Sequence, residues 1–105
     1  MSKNDFKGPY DIDSTVIPAN RAAVYLIVSM SNNGNKHVID VGESGEIGIR
    51  IGAHDRRPCW ERHRNGGALY AYLLYMPRSE GYTAEDRRKV EQEMRIRYNP
   101  PCGKR

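Results

Sequence analysis

Two pairs of residues stand out by type and spacing. Arg50 and His54 are four apart, so on a helix they lie about 40° from each other on one face. Further along, Val90, Met94 and Tyr98 define the apolar stripe of a second helix. Glu91 falls about 60° from the centre of that stripe and Glu93 about 100° away on the other flank. Glu91 is therefore the carboxylate turned inward over neighbouring elements. A carboxylate at the edge of a core has two uses: it holds a hard divalent cation, or it pairs structurally with an arginine. Spacing alone leaves both open.

The arginines point to a class of partner. Seventeen Lys and Arg residues stand against 13 Asp and Glu, for a net charge of +4, and arginine supplies 12 of the 17. A guanidinium fork matches phosphate in two places, whereas a lysine is a point charge. Arg50, Arg56, Arg57, Arg62 and Arg64 crowd one short stretch, with His54 and His63 among them. This suits a phosphate-rich partner such as DNA. It equally suits a solvated face with internal salt bridges to Asp55 and Glu61.

Other reactive residues read more plainly. Tyr70 and Tyr72 share one face of a regular strand and Tyr75 the other. They could stack on bases, but an amphipathic strand explains them as well. His54, Cys59, His63 and Cys102 invite a zinc site, yet His-x4-Cys-x3-His with a remote Cys is no standard zinc spacing. Cys59 and Cys102 are expected to be small buried residues with reduced thiols. Trp60 reads as a core or hinge anchor.

These residues need elements to hold them. Residues 22–28 form a short apolar run rich in β-formers and read as a buried strand. Ser31-Asn32-Asn33-Gly34-Asn35 is turn chemistry, and residues 37–42 complete a hairpin. A helix is expected over residues 43–57, with Ile47 and Ile51 on one face, weakened by Gly48 and Gly52 and ended by Pro58. Residues 59–67 read as a polar connection. Residues 68–76 are a third strand and 77–82 a loop. Thr83 is a helix N-cap, with Glu85 and Asp86 in the first turn. That helix runs to about Asn99 and stops at Pro100-Pro101. The fold class is α+β: a small, three-stranded, mainly antiparallel sheet in β-β-α-β-α order, flanked by helices.

A chain of 105 residues suits one domain. Residues 1–20, broken by Gly8, Pro9 and Pro18, are expected to be an arm or irregular lead-in pinned by Val16 and Ile17, and residues 21–105 the folded domain. No stretch has the apolar run of a signal peptide or of a membrane span, so a cytoplasmic setting with no membrane partner is expected.

Taken in order, these pieces resemble the GIY-YIG nuclease superfamily. Ala23-Val24-Tyr25 stands where that family has its first strand motif, and Asp40-Val41-Gly42 where it has the second. Arg50 and His54 match its Arg-x-x-x-His helix, and Glu91, nine residues before Pro100, matches its metal-binding Glu. The likeness covers residues 22–103. It implies a metal-dependent endonuclease acting on DNA with low sequence specificity, as a monomer or homodimer. Glu91 would hold Mg²⁺ or Mn²⁺, Arg50 the scissile phosphate, Tyr25 would be the general base, and His54 would orient it or relay its proton. Arg56, Arg57, Arg62 and Arg64 would contact the nucleic acid.

This chain departs from the family pattern at three positions. Ala23 replaces a glycine, and Gly103 replaces an asparagine that fixes the chain end. Asp40 replaces the second motif tyrosine. A carboxylate there could be a second metal ligand or an alternative catalytic base. It could also repel phosphate and leave a catalytically impaired nucleic-acid-binding domain.

Overall fold

The apolar run from Ala23 to Val28 is buried on both sides, which explains why it lacks the alternation of a half-exposed strand. A computed structural model describes residues 6–13, 21–47 and 56–103. Within them the run belongs to strand β2 (Ala23–Met30), which pairs antiparallel with β3 (Lys36–Ser44) on one side and β4 (Ala68–Tyr75) on the other. β1 (Lys7–Asp11) pairs antiparallel with β4, so the sheet order is β1-β4-β2-β3. Two α-helices complete the described residues: α1 (Arg57–His63) and α2 (Ala84–Tyr98). The fold is thus a small α+β domain built on a four-stranded antiparallel sheet.

Each face of the sheet carries its own core. Tyr25, Ile27, Ile39, Ala71 and Leu73 face one way and pack with Trp60 of α1, Ile12, Ile47 and Cys102. Val24, Leu26, Val28, Val41 and Leu74 face the other way and pack under Val90 and Met94 of α2, with Tyr98 at the margin. A β-bulge between Ile27 and Val28 sets the register, so that Ile27 opposes Asp40 and Val28 opposes Val38. As a result Ile39 shares a face with Ile27 while Val38 packs on the opposite side.

Four expectations change. The lead-in is not irregular throughout: Lys7–Asp11 is an edge strand, with Gly8 and Pro9 at a register shift between Lys7 and Tyr10, a place where proline's missing N–H is tolerated. Ile12 also joins the core. Glu43 and Ser44 extend β3 rather than open a helix, because they remain paired with Val24 and Ala23. Pro58 starts a helix instead of ending one; it sits in the first turn of α1, where no N–H partner is lost. Trp60 therefore lies in a helix and not in a polar connection. Val16, Ile17, Gly48, Ile51 and Gly52 lie outside the described residues.

The second helix follows its sequence signals. The Thr83 hydroxyl accepts from the Asp86 N–H at 3.2 Å, and the Asp86 carboxylate accepts from the Thr83 N–H at 2.9 Å, a reciprocal capping box. Asn99 ends the helix in the left-handed conformation, its N–H donating to the Arg95 carbonyl at 2.8 Å. Among the described residues no helix is long and apolar enough to cross a membrane.

Candidate functional site

Asp40 lies at the centre of the site. It sits on the edge strand β3, wholly buried, and burying a carboxylate requires donors around it. Its Oδ2 accepts from the Trp60 indole N–H at 2.7 Å and lies 2.8 Å from Arg56 Nε. Its Oδ1 accepts from the Val41 N–H at 2.8 Å and from Arg95 at 3.3 Å. Three hydrogen-bond donors and the Arg56 ion pair therefore surround the carboxylate. Trp60 arrives from α1 and Arg95 from α2, on opposite faces of the sheet, so Asp40 ties both helices to β3.

Arg95 also donates to the Val41 carbonyl, and the Cys102 N–H donates to the Ile39 carbonyl at 3.0 Å. Two carbonyls on the outer edge of β3 are thereby satisfied, which blunts part of that edge. A second ion pair, Arg87 to Glu43 at 2.9 Å, fastens the start of α2 to the same strand.

Tyr25 lies beside this cluster. It is fully buried, and Arg56 donates to its phenol oxygen at 3.5 Å, a long contact for a hydrogen bond. Tyr25 opposes Gly42 across the β2–β3 ladder. A Cβ at Gly42 would stand 2.2 Å from the phenol oxygen, so the strand position opposite Tyr25 must be glycine for the ring to lie flat against the backbone. The last residue of the Asp40-Val41-Gly42 motif thus has a direct steric reason.

Glu91 is buried on the inward side of α2, as its position on the helix wheel requires, while Glu93 is exposed. It borders an open groove of about 510 Å³ with Arg95, Asn99, Pro100 and Gly103. Gly103 adopts φ +72°, and a Cβ there would lie 2.6 Å from one Arg56 nitrogen and 2.8 Å from one Arg95 nitrogen. Gly103 therefore rests directly on the two guanidiniums that Asp40 holds. Contacts link Tyr25 to Arg56, Arg56 to Asp40, and Asp40 to Arg95, which opens onto the groove beside Glu91.

The remaining arginines have mixed placements. Arg56, assigned from sequence to nucleic acid, is turned inward to Asp40. Arg57 pairs with Asp13, and Arg64 with Glu61 at 2.8 Å. Arg62 is exposed on α1. Tyr72 faces the α2 side, where Lys36 donates to its hydroxyl at 3.0 Å. Tyr75 faces the other way beside Tyr10, under the Arg21 guanidinium. Burial, reinforced by Tyr10, pushes the Tyr75 phenol above its ordinary value against the opposing pull of Arg21. Cys59 and Cys102 are joined in a disulfide, which corrects the expectation of reduced thiols. Arg50 and His54 lie outside the described residues.

Three participants carry little or no signal in the sequence. Arg95 stands four residues after Glu91, so helical spacing alone puts it on the same face. Trp60 needs a partner for its indole N–H if buried, but nothing local names Asp40. Gly103 has no sequence signal beyond its type. Against known proteins, no family model, no curated protein and no solved structure matches this chain.

Proposed function

We propose that this chain is a divalent-metal-dependent endonuclease of GIY-YIG type that hydrolyses DNA phosphodiester bonds with low sequence specificity. The observation that carries the reading is the groove: the buried Glu91 borders it, and its Gly103 wall rests on the paired guanidiniums of Arg56 and Arg95. Phosphodiester hydrolysis needs a cation site, positive charge for the phosphoryl oxygens and a base for water.

Glu91 would hold the cation. Among the described residues no cluster of three acidic, His or Cys ligands includes it, and both Asp40 oxygens already accept internal hydrogen bonds. A single carboxylate fits Mg²⁺ or Mn²⁺, which retain several waters and accept substrate phosphates as further ligands. Bound there, the cation would neutralise developing charge on the phosphoryl oxygens. Tyr25 would take the proton from water, with the Arg56 guanidinium 3.5 Å from its oxygen. Arg50 would bind the scissile phosphate and His54 would orient the base. Asp40 then serves as a positioning residue for Arg56 and Arg95, neither base nor ligand. Arg62 and its neighbours on α1 would track the DNA backbone.

A second reading has its own support. Tyr25 is wholly buried, and the Asp40 oxygens are taken by internal donors. Both facts suit a catalytically impaired module that binds nucleic acid without cutting it. Plasmid nicking in Mg²⁺ or Mn²⁺ separates the two. The nuclease reading expects nicking, reduced about 100-fold or more in Glu91→Ala and in Arg50→Ala. Absence of cleavage on duplex, single-stranded and branched DNA with either metal ends it. Salt-dependent binding without cleavage then supports the second reading, and no binding at moderate salt ends both.

A further inference from the structure

Helix α1 sets Cys59 and His63 one turn apart on the same face. After α2 the chain turns at Pro100 and runs back along β3, bringing Cys102 to a Cα–Cα distance of 5.9 Å from Cys59. His63 Nδ1 then lies 3.7 Å from the Cys59 sulfur and 3.8 Å from the Cys102 sulfur. The three ligand atoms lie within 4.8 Å of one another; Cys102 is buried, and Cys59 and His63 are partly so. No standard spacing announces the set, because Cys102 is 43 residues from Cys59.

We propose that the reduced chain binds one zinc-class cation through the Cys59 and Cys102 thiolates and His63 Nδ1, and that the disulfide is the oxidised state of this same site. The geometry is close to what a tetrahedral centre requires. Metal–sulfur bonds of ~2.3 Å and a metal–nitrogen bond of ~2.0–2.1 Å give S···N edges of ~3.6 Å and an S···S edge of ~3.8 Å. Both S···N separations already stand near that edge length. Only the sulfurs must part, from a covalent bond of ~2.0 Å to the edge length, and rotation of the two cysteine side chains supplies this.

The donor set decides the class of ion. Two thiolates and an imidazole are borderline-soft and select zinc-like cations, whereas Mg²⁺ takes oxygen ligands. The site is thus chemically separate from Glu91 and independent of the nuclease reading. Three protein donors leave a fourth position for a water molecule.

The chemistry balances in two steps. A phosphine breaks the S–S bond and is oxidised to its oxide with oxygen from water, and the two water protons pass to the sulfurs. The cation then displaces both thiol protons. His63 Nδ1, 3.2 Å from the Cys59 carbonyl, must present its lone pair to the metal, so its proton resides on Nε2. Occupancy joins the segment bearing Arg56 and Trp60 to the one bearing Gly103, the two sides of the Asp40 cluster.

The test is anaerobic titration of the phosphine-reduced, full-length chain with Co²⁺. We expect one Co²⁺ per chain, a thiolate-to-cobalt charge-transfer band, and its loss on adding Zn²⁺ but not excess Mg²⁺. His63→Gln should weaken binding by roughly tenfold or more, since even outer-shell partners of a ligand are worth that much. Cys59→Ser and Cys102→Ser should each diminish the band. X-ray absorption of the wild-type zinc form should read two sulfur neighbours, a result that does not depend on any variant folding. The proposal is overturned by a disulfide that resists the reductant, by reduced protein without a thiolate band, by unaltered affinity in His63→Gln, or by a zinc shell of nitrogen and oxygen alone.

Discussion

A carboxylate withdrawn from water loses several kcal/mol of hydration, and only well-placed donors recover it. Asp40 has three hydrogen-bond donors, the Trp60 indole, the Val41 amide and Arg95, and an ion pair with Arg56. Removing it would take this counter-ion from two guanidiniums, both less than one-quarter exposed. Asp40→Ala should therefore destabilise the fold by on the order of 3 kcal/mol, and Asp40→Asn by less, since the amide keeps one acceptor oxygen. Urea denaturation measures both. A loss below about 1 kcal/mol for the alanine variant would mean that the cluster is no anchor. The same contacts give Asp40, whose type suggests a base or a metal ligand, a part in holding its neighbours in place.

At the scale of elements, α2 is the part that local chemistry specifies best. Its first turn closes with the Thr83–Asp86 capping box, and its last turn carries Arg95 and Arg97 where the helix dipole favours cations. Thr83→Ala should cost about 1 kcal/mol, read as a lower denaturation midpoint with an unchanged slope. Because α2 carries both Glu91 and Arg95, fraying at its start should leave the groove at its far end largely intact. An unchanged midpoint would show that tertiary packing alone holds the helix. The opposite lesson comes from α1. Pro58 reads as a stop when only the preceding pattern is considered, yet proline is equally suited to a first turn. What selects the helix is the burial of Trp60 against the sheet, a contact no local window contains.

For the whole molecule, the disulfide closes a loop with a sequence separation of 43. In the chain-entropy account a loop of this length stabilises the folded state by about 4 kcal/mol. Reduction in the presence of a chelator should lower the denaturation midpoint accordingly, and the loss should vanish in the Cys59→Ser/Cys102→Ser double variant, which has no bond to break. An equal effect of the reductant on that variant would assign the change elsewhere. The same closure fastens Gly103 over Arg56 and Arg95, so the bond that stabilises the fold also holds a wall of the groove.

Patterns contained within one turn or one strand are legible in the amino-acid sequence alone: the buried run at Ala23–Val28, the hairpin turn at Ser31–Asn35, the Thr83 cap, the inward side of α2 and hence the burial of Glu91. Each depends on a residue's own conformational preference or on a fixed helical or strand period, and both travel with the sequence. The edge strand at Lys7–Asp11, the partners of Asp40, the glycine demanded opposite Tyr25 and the meeting of Cys59, His63 and Cys102 are not legible in that way. They arise from strand register and from the return of the chain along β3, which join residues tens of positions apart. No local preference encodes such a meeting; only the simultaneous burial of both faces of the sheet selects it.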